Sequence, residues 1–445
     1  VEYQNKKIKI AYSTIALFML IFHAFMSVFA QYYQANFVTR LGYWIIVILL
    51  MLFSKSGGIT KYKINANMVL SLLMLIVILS NNQNFENGNY TYELMFVALV
   101  CFLTLSLYAT SWYGNVLRFV KLFTRIHIVC TLWLSIDKWS YFNIVLPIIG
   151  NKYTVDTLVY QYKHGWMPGI ASHYSANAIY LSYAVGLFFI LVMTEEIKKK
   201  RICHLVWLIA AIIALLLTGK RGHIIFTAAA LVFLFYFYMS NHKRGRIIKI
   251  LFALSLVIML VFVVSMFVPY ILLFLERFVE QAQLGDITSG RVYLQELALQ
   301  MFNKSRLFGI GWDGFKYKYL GSISIDAVML NVHNVYIQLL TECGIVGALP
   351  FYVFFLSNGF KAVQSLVKMV KRPDEEKSIL VLRNVMFAVF VELFFLMYCL
   401  TGNPLYDEQT LILYIVGCSI VQKPLNVEIY RSDTMRKDEI SFGEI

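Results

Sequence analysis

Four residues stand where they can do chemistry: the adjacent Lys220 and Arg221, then Arg291, then His333. Each lies at or just before the start of a predicted helix. Arg221 opens an apolar run. Arg291 follows Thr288-Ser289-Gly290, a helix-capping sequence, and Leu294, Leu297, Ala298, Met301 and Phe302 recur after it at helical spacing. His333 and Asn334 lead directly into another apolar run. All therefore sit near the positive end of a helix dipole, beside N–H groups with no partner inside the helix. Brought together by packing, guanidinium forks and helix N-termini make a dianion site suited to pyrophosphate. His333 is the best general-base candidate, because its ordinary pKa lies near working pH. The plainer alternatives are a solvated loop position for Arg291 and an interfacial snorkelling pair for Lys220 and Arg221.

Other candidates carry weaker signals. His164, His173 and His223 lie on or near the same predicted side as His333; a lone histidine is more often structural, but His223 is two residues from Arg221. Gly309-Ile310-Gly311-Trp312-Asp313-Gly314 matches GxGxxG formally, yet it lacks the strand–turn–helix context of a dinucleotide site. Its glycines read as a tight turn, with Trp312 available for packing or for stacking on a sugar face. Glu342 and Glu392 fall inside predicted spans and read as helix-to-helix hydrogen-bond partners, with an intramembrane functional acid as the alternative for Glu392. No Walker sequence and no D-x-D occurs, which excludes an ATP-driven pump and argues against the usual metal-nucleotide-sugar site. No outward His/Cys/Asp cluster has metal spacing. The six cysteines show no CxxC pairing and read as small buried side chains.

The elements that must position these residues are membrane helices. The chain of 445 residues is 59% hydrophobic and 14% charged, too apolar for a soluble surface. Apolar runs of about 20 residues recur along it, enough to cross roughly 30 Å of hydrocarbon. The fold class is an all-α polytopic membrane protein. About twelve transmembrane helices are expected, near 10–30, 38–54, 64–80, 92–112, 117–136, 175–194, 202–218, 222–240, 248–275, 335–360, 378–399 and 408–422. The first, without a small-residue cleavage site, reads as a retained helix rather than a signal peptide. Counting loop charges puts about 27 of the 39 basic residues on one side and about 12 on the other. That side is the cytoplasm, and both termini are predicted inside. The net charge of +14 follows from this asymmetry and calls for no nucleic-acid partner. Loops 81–91 and 400–408 contain no Lys or Arg. Two outward segments are long, 137–174 and 276–334, the second carrying short amphipathic helices. The organisation expected is thus nine spans in 1–275, the large outward loop 276–334, three spans in 335–422 and a polar cytoplasmic tail, 423–445.

In combination the motifs resemble a known family. Thr218-Gly219-Lys220-Arg221-Gly222, Ser289-Gly290-Arg291, Leu307-Phe308-Gly309-Ile310-Gly311, and His333-Asn334 followed by Leu339, Leu340, Glu342, Gly344 and Gly347 resemble the O-antigen ligase and Wzy-type polymerase superfamily. The segment from Gly169 to Asn177 is similar to that family's glycine-to-asparagine stretch before a span. The likeness covers roughly residues 165–350. It implies a metal-independent membrane glycosyltransferase without cofactors, whose donor is a polyprenyl-diphosphate-linked glycan. Arg221 and Arg291 would bind the diphosphate, and His333 would activate or position the acceptor hydroxyl. Lys220 departs from the small residue expected beside that arginine; it can add a phosphate contact or face headgroups. Lys220, Trp312, Asn334 and His223 complete the expected substrate-binding set.

Two activities fit this donor chemistry. A polymerase joins lipid-linked repeat units into an O-antigen or capsule-like chain. A ligase moves the finished glycan to a lipid A core. The looseness of the motifs favours the polymerase. A twelve-helix transporter or flippase is the alternative of another class, but its longest loop would be expected inside, between spans six and seven. The expected surroundings are the bacterial cytoplasmic membrane, with the site facing outward. The expected partners are the lipid-linked glycan donor and acceptor, membrane lipid, and the flippase and chain-length regulator of the same pathway.

Overall fold

Backbone in hydrocarbon must satisfy its own N–H and C=O groups, so long apolar runs fold as helices. Every regular element among the described residues is helical. The computed structural model describes residues 12–29, 32, 37–54, 64–80, 90–107, 112–149, 152–239, 291–323, 330–373 and 378–423. The first part contains α1 (Tyr12–Phe25), α2 (Phe37–Leu52), α3 (Ala66–Ser80), α4 (Tyr90–Leu107) and α5 (Val116–Ile136). Two shorter helices, α6 (Lys138–Ile149) and α7 (Lys152–Lys163), occupy most of the segment 137–174. Then follow α8 (Tyr174–Thr194), α9 (Lys198–Leu217) and α10 (Arg221–Tyr238). After them come the short α11 (Arg291–Lys304) and α12 (Gly314–Ile323), and finally α13 (Val335–Lys371), α14 (Ile379–Tyr398) and α15 (Glu408–Gln422).

Each span expected before residue 240 and after residue 335 coincides with an apolar helix, and six helices are long and apolar enough to cross a membrane. The span expected at 248–275 lies outside the described residues. So do Thr288-Ser289-Gly290 and the tail from residue 424. α13 outruns its expected end near residue 360. Ala362, Ser365, Leu366, Met369 and Val370 keep one buried face at helical spacing, so the helix continues through the lysines to Lys371.

α8, α14 and α15 form the centre, buried on nearly all sides. α5, α9 and α10 pack on α8, while α4 and α1 pack on α15. Small residues set the close approaches: a Cβ at Gly186 would overlap the Phe390 ring, and one at Gly417 would press on Val391. The peripheral α2 and α3 expose Ile45, Ile46, Leu72, Ile76 and Leu79, as lipid-facing helices do. Polar ties pin the bundle at both ends. His23 of α1 pairs with Glu408 at the start of α15. At the far end of α8, Arg383 of α14 donates to Glu195 at 3.1 Å and to Thr194.

Candidate functional site

The site is assembled on two turns, one at each end of a hydrogen-bonded unit. The first is a clasp between the glycine-rich turn 309–311 and a break in α13. Gly344 has φ +66° and ψ −176°, which interrupts the helix. The freed groups are taken up across the break: the N–H groups of Ile310 and Gly311 donate to the carbonyls of Thr341 and Glu342 at 3.0 and 2.9 Å. In return, Ile345 and Val346 donate to the carbonyls of Arg306 and Leu307 at 2.9 and 3.1 Å. Both crossing points need glycine. A Cβ at Gly309 would meet the Glu342 carbonyl, and one at Gly344 would meet the Leu307 carbonyl. The two sequence blocks are therefore halves of one device.

Glu342 closes the clasp. Its carboxylate accepts from the Asp313 and Phe315 N–H groups, from the Gln338 amide at 3.0 Å and from the Tyr406 hydroxyl at 2.6 Å. Trp312 is fully buried, stacked between Tyr406 and Phe351, with its indole N–H on Thr91. Of its two expected uses, packing is the one realised; no face is left for a sugar. Asn334 is also committed, as the N-cap of α13, accepting from the Ile337 N–H at 3.1 Å.

The second turn, between α14 and α15, draws the charged residues together. Arg291, at the start of α11, donates to the Thr401 carbonyl at 2.9 Å. A Cβ at Gly222, in the first turn of α10, would lie 3.9 Å from the Thr401 hydroxyl. His223, next along, packs its ring 4.6 Å from Tyr398; it is buried, and its Nε2 has no hydrogen-bond partner. Asn403 reaches His333, whose φ of +56° is a strained conformation for a histidine. The starts of α10, α11 and α13 thus meet at residues 398–403. Arg221 stands half-buried at the first of these starts, with Lys220 just before it making no capping bond from its side chain.

Asn403 also sets the state of His333. Its Oδ1 accepts from the His333 N–H at 3.1 Å, so its amide nitrogen faces Nδ1 at 3.2 Å and donates to it. The neutral ring then carries its proton on Nε2, as a donor. Burial pushes the His333 pKa down to about 4, helped by the charges of Arg291 and Lys220. At neutral pH the ring is uncharged.

Comparison with known proteins bears on this arrangement. The family model described as O-antigen ligase matches residues 204–352. That stretch holds Lys220, Arg221, Arg291, the clasp and His333. Residues 204–352 are thus similar to an O-antigen ligase domain. Among curated proteins none matches the chain. The domain supports an enzyme of the ligase and polymerase type in a membrane protein, without dividing the two activities.

The 398–407 turn lies beyond the matched domain, and sequence reasoning passed over it. It contributes Asp407, the residue before α15. Asp407 keeps part of its surface open, and its side chain does not cap its own helix. Burial pushes its pKa up to about 7, with Lys220 pulling the other way. A carboxyl poised there can exchange a proton near neutrality. One signal pointed to it: loop 400–408 has acids but no Lys or Arg.

Proposed function

We propose that this chain is a membrane glycosyltransferase that joins lipid-linked glycan repeat units, with a polyprenyl-diphosphate-linked glycan as donor. The observation that carries the reading is the meeting of Lys220, Arg291 and His333 at the starts of three helices, which supports a site for a diphosphate. In the reaction a sugar hydroxyl of the acceptor attacks the anomeric carbon of the donor. The carbon–oxygen bond to the diphosphate breaks, and its electron pair leaves on the diphosphate. Arg221, Arg291 and Lys220 hold the developing negative charge, and His333 donates its Nε2–H to the leaving oxygens. The hydroxyl proton passes to Asp407. His333 is thus a donor in this scheme, not the base. A diphosphate is a good leaving group, so alignment and charge stabilisation suffice. The excess of basic residues in the opposite loops supports a site facing outward from the bacterial cytoplasmic membrane.

The second reading is ligation of a finished glycan to a lipid A core, favoured by the description of the matching family. Glycans of a deletion strain test both. Single repeat units on the final acceptor are expected for a lost polymerase. Long chains stranded on the prenyl carrier would instead identify a ligase, and unchanged glycans would end both readings.

A further inference from the structure

Beside the charged site runs a row of aromatic rings. It begins at Tyr160 on α7, which lies 4.2 Å from His164. His164 is 5.4 Å from Trp166, and Trp166 is 4.6 Å from Tyr174. The ammonium of Lys220 sits 4.8 Å over the Tyr174 ring. His173 flanks the row, 4.4 Å from Tyr174. Successive planes are tilted by 31–40°, so the rings splay rather than stack flat on one another. Tyr160 is 56% exposed, His164 and His173 are exposed, and Trp166 and Tyr174 keep part of their surfaces open.

The row is held rigidly. The Tyr174 N–H donates to the side chain of the buried Gln161 at 2.7 Å, and the Trp166 N–H to its carbonyl at 3.0 Å. Met167 donates to the Leu217 carbonyl, which lays the loop against the turn that carries Lys220. Asn177, fully buried, ties the loop to α5 through Thr131 and to itself through the Met167 carbonyl. Aromatic side chains fixed in advance lose little freedom on binding. Rings that served only as an interfacial belt would be scattered around the bundle at headgroup depth. These form one line that ends on a cation of the diphosphate site.

We propose that Tyr160, His164, Trp166 and Tyr174 form a glycan subsite, on which successive pyranose rings of the lipid-linked glycan stack as the chain leads away from Lys220. The exposed parts of the splayed, electron-rich rings receive the C–H faces of the sugars, and His164 can hydrogen-bond to sugar hydroxyls. The subsite rests on the proposed glycosyltransferase reading. It also gives the chain a sugar-stacking surface, which the buried Trp312 does not supply.

The full chain in lipid vesicles tests this, given polyprenyl-diphosphate glycans of one repeat unit, extracted from the deletion strain, or of several, extracted from cells carrying the unmodified chain. For Trp166→Ala and for the Tyr160→Ala/His164→Ala pair, KM for the multi-repeat substrate is expected to rise about tenfold with kcat unchanged. The single-repeat substrate is expected to change by less than about twofold, and Trp166→Phe to restore the wild-type KM. Unchanged KM for both substrates would overturn the subsite and leave the enzyme reading standing. Equal losses for both, with a lowered melting temperature, would show an anchoring role only and overturn it too. Absence of turnover by the unmodified chain would instead defeat the enzyme reading, and the subsite with it.

Discussion

Two carboxyl groups lie close to Tyr406, and their surroundings differ completely. Glu342 is buried and accepts four hydrogen bonds, from Asp313, Phe315, Gln338 and Tyr406. Asp407, adjacent in sequence to Tyr406, caps nothing and keeps a partly open surface facing the charge of Lys220. A satisfied buried acid is architecture, since each accepted bond offsets the cost of its burial. An acid that caps no helix and stands in a charged, partly open site is available for chemistry. The same contrast separates Trp312, fully buried, from the partly exposed row at Tyr160 to Tyr174.

The sharpest way to break the comparison is at the clasp. Gly344→Ala forces a left-handed alanine against the Leu307 carbonyl. The expected cost is about 3 kcal/mol or more, from strain and overlap together. Thermal unfolding in detergent should show it, whereas an unchanged melting temperature would mean the break is tolerant. Glu342→Ala should destabilise as well, through stranded donors. Asp407→Asn, by contrast, should leave the melting temperature within a degree or two.

Activity should show the opposite order. Arg291→Ala is expected to lower turnover about 10³-fold at normal protein levels, as loss of a transition-state charge contact does. For Asp407→Asn the loss is expected to be about 10²-fold. It should also remove an acid limb near pH 7, because the unbound carboxyl is raised to about 7 and must be ionised to accept a proton. If the limb persists in that variant, another group is the base.

His333 gives the smallest and most diagnostic effect. Its pKa is lowered to about 4, so the ring stays neutral from physiological pH down to that value. Any stability it lends is therefore present above its ordinary pKa of about 6.5 and lost as pH falls from there toward 4. As a donor through Nε2, it should be partly replaceable. His333→Gln is expected to keep about a tenth of the activity, while His333→Ala loses more. Equal and complete loss in both variants would restore the histidine to the role of base.

Much of this architecture was legible from residue order alone. Hydrophobic run length located the helices, and the starts at Arg221, Arg291 and His333 were visible because helix beginnings are local events. The glycines at 309 and 311 read correctly as a turn, not a nucleotide loop. Their partner was not readable, because the clasp joins them to α13 some thirty residues away. Asp407 and Asn403 carried only the faint signal of a loop without cations.

What the sequence determined by itself, then, was a helical membrane chain with cations placed at helix starts, since composition and periodicity act over a few residues. Tertiary structure alone decided that those starts converge. Arg291 finds Thr401 across 110 residues, and His333 finds Asn403 across 70. Such pairings arise from how α10, α11 and α13 pack against the end of α14. No local pattern encodes them, because each partner on its own is an ordinary loop residue.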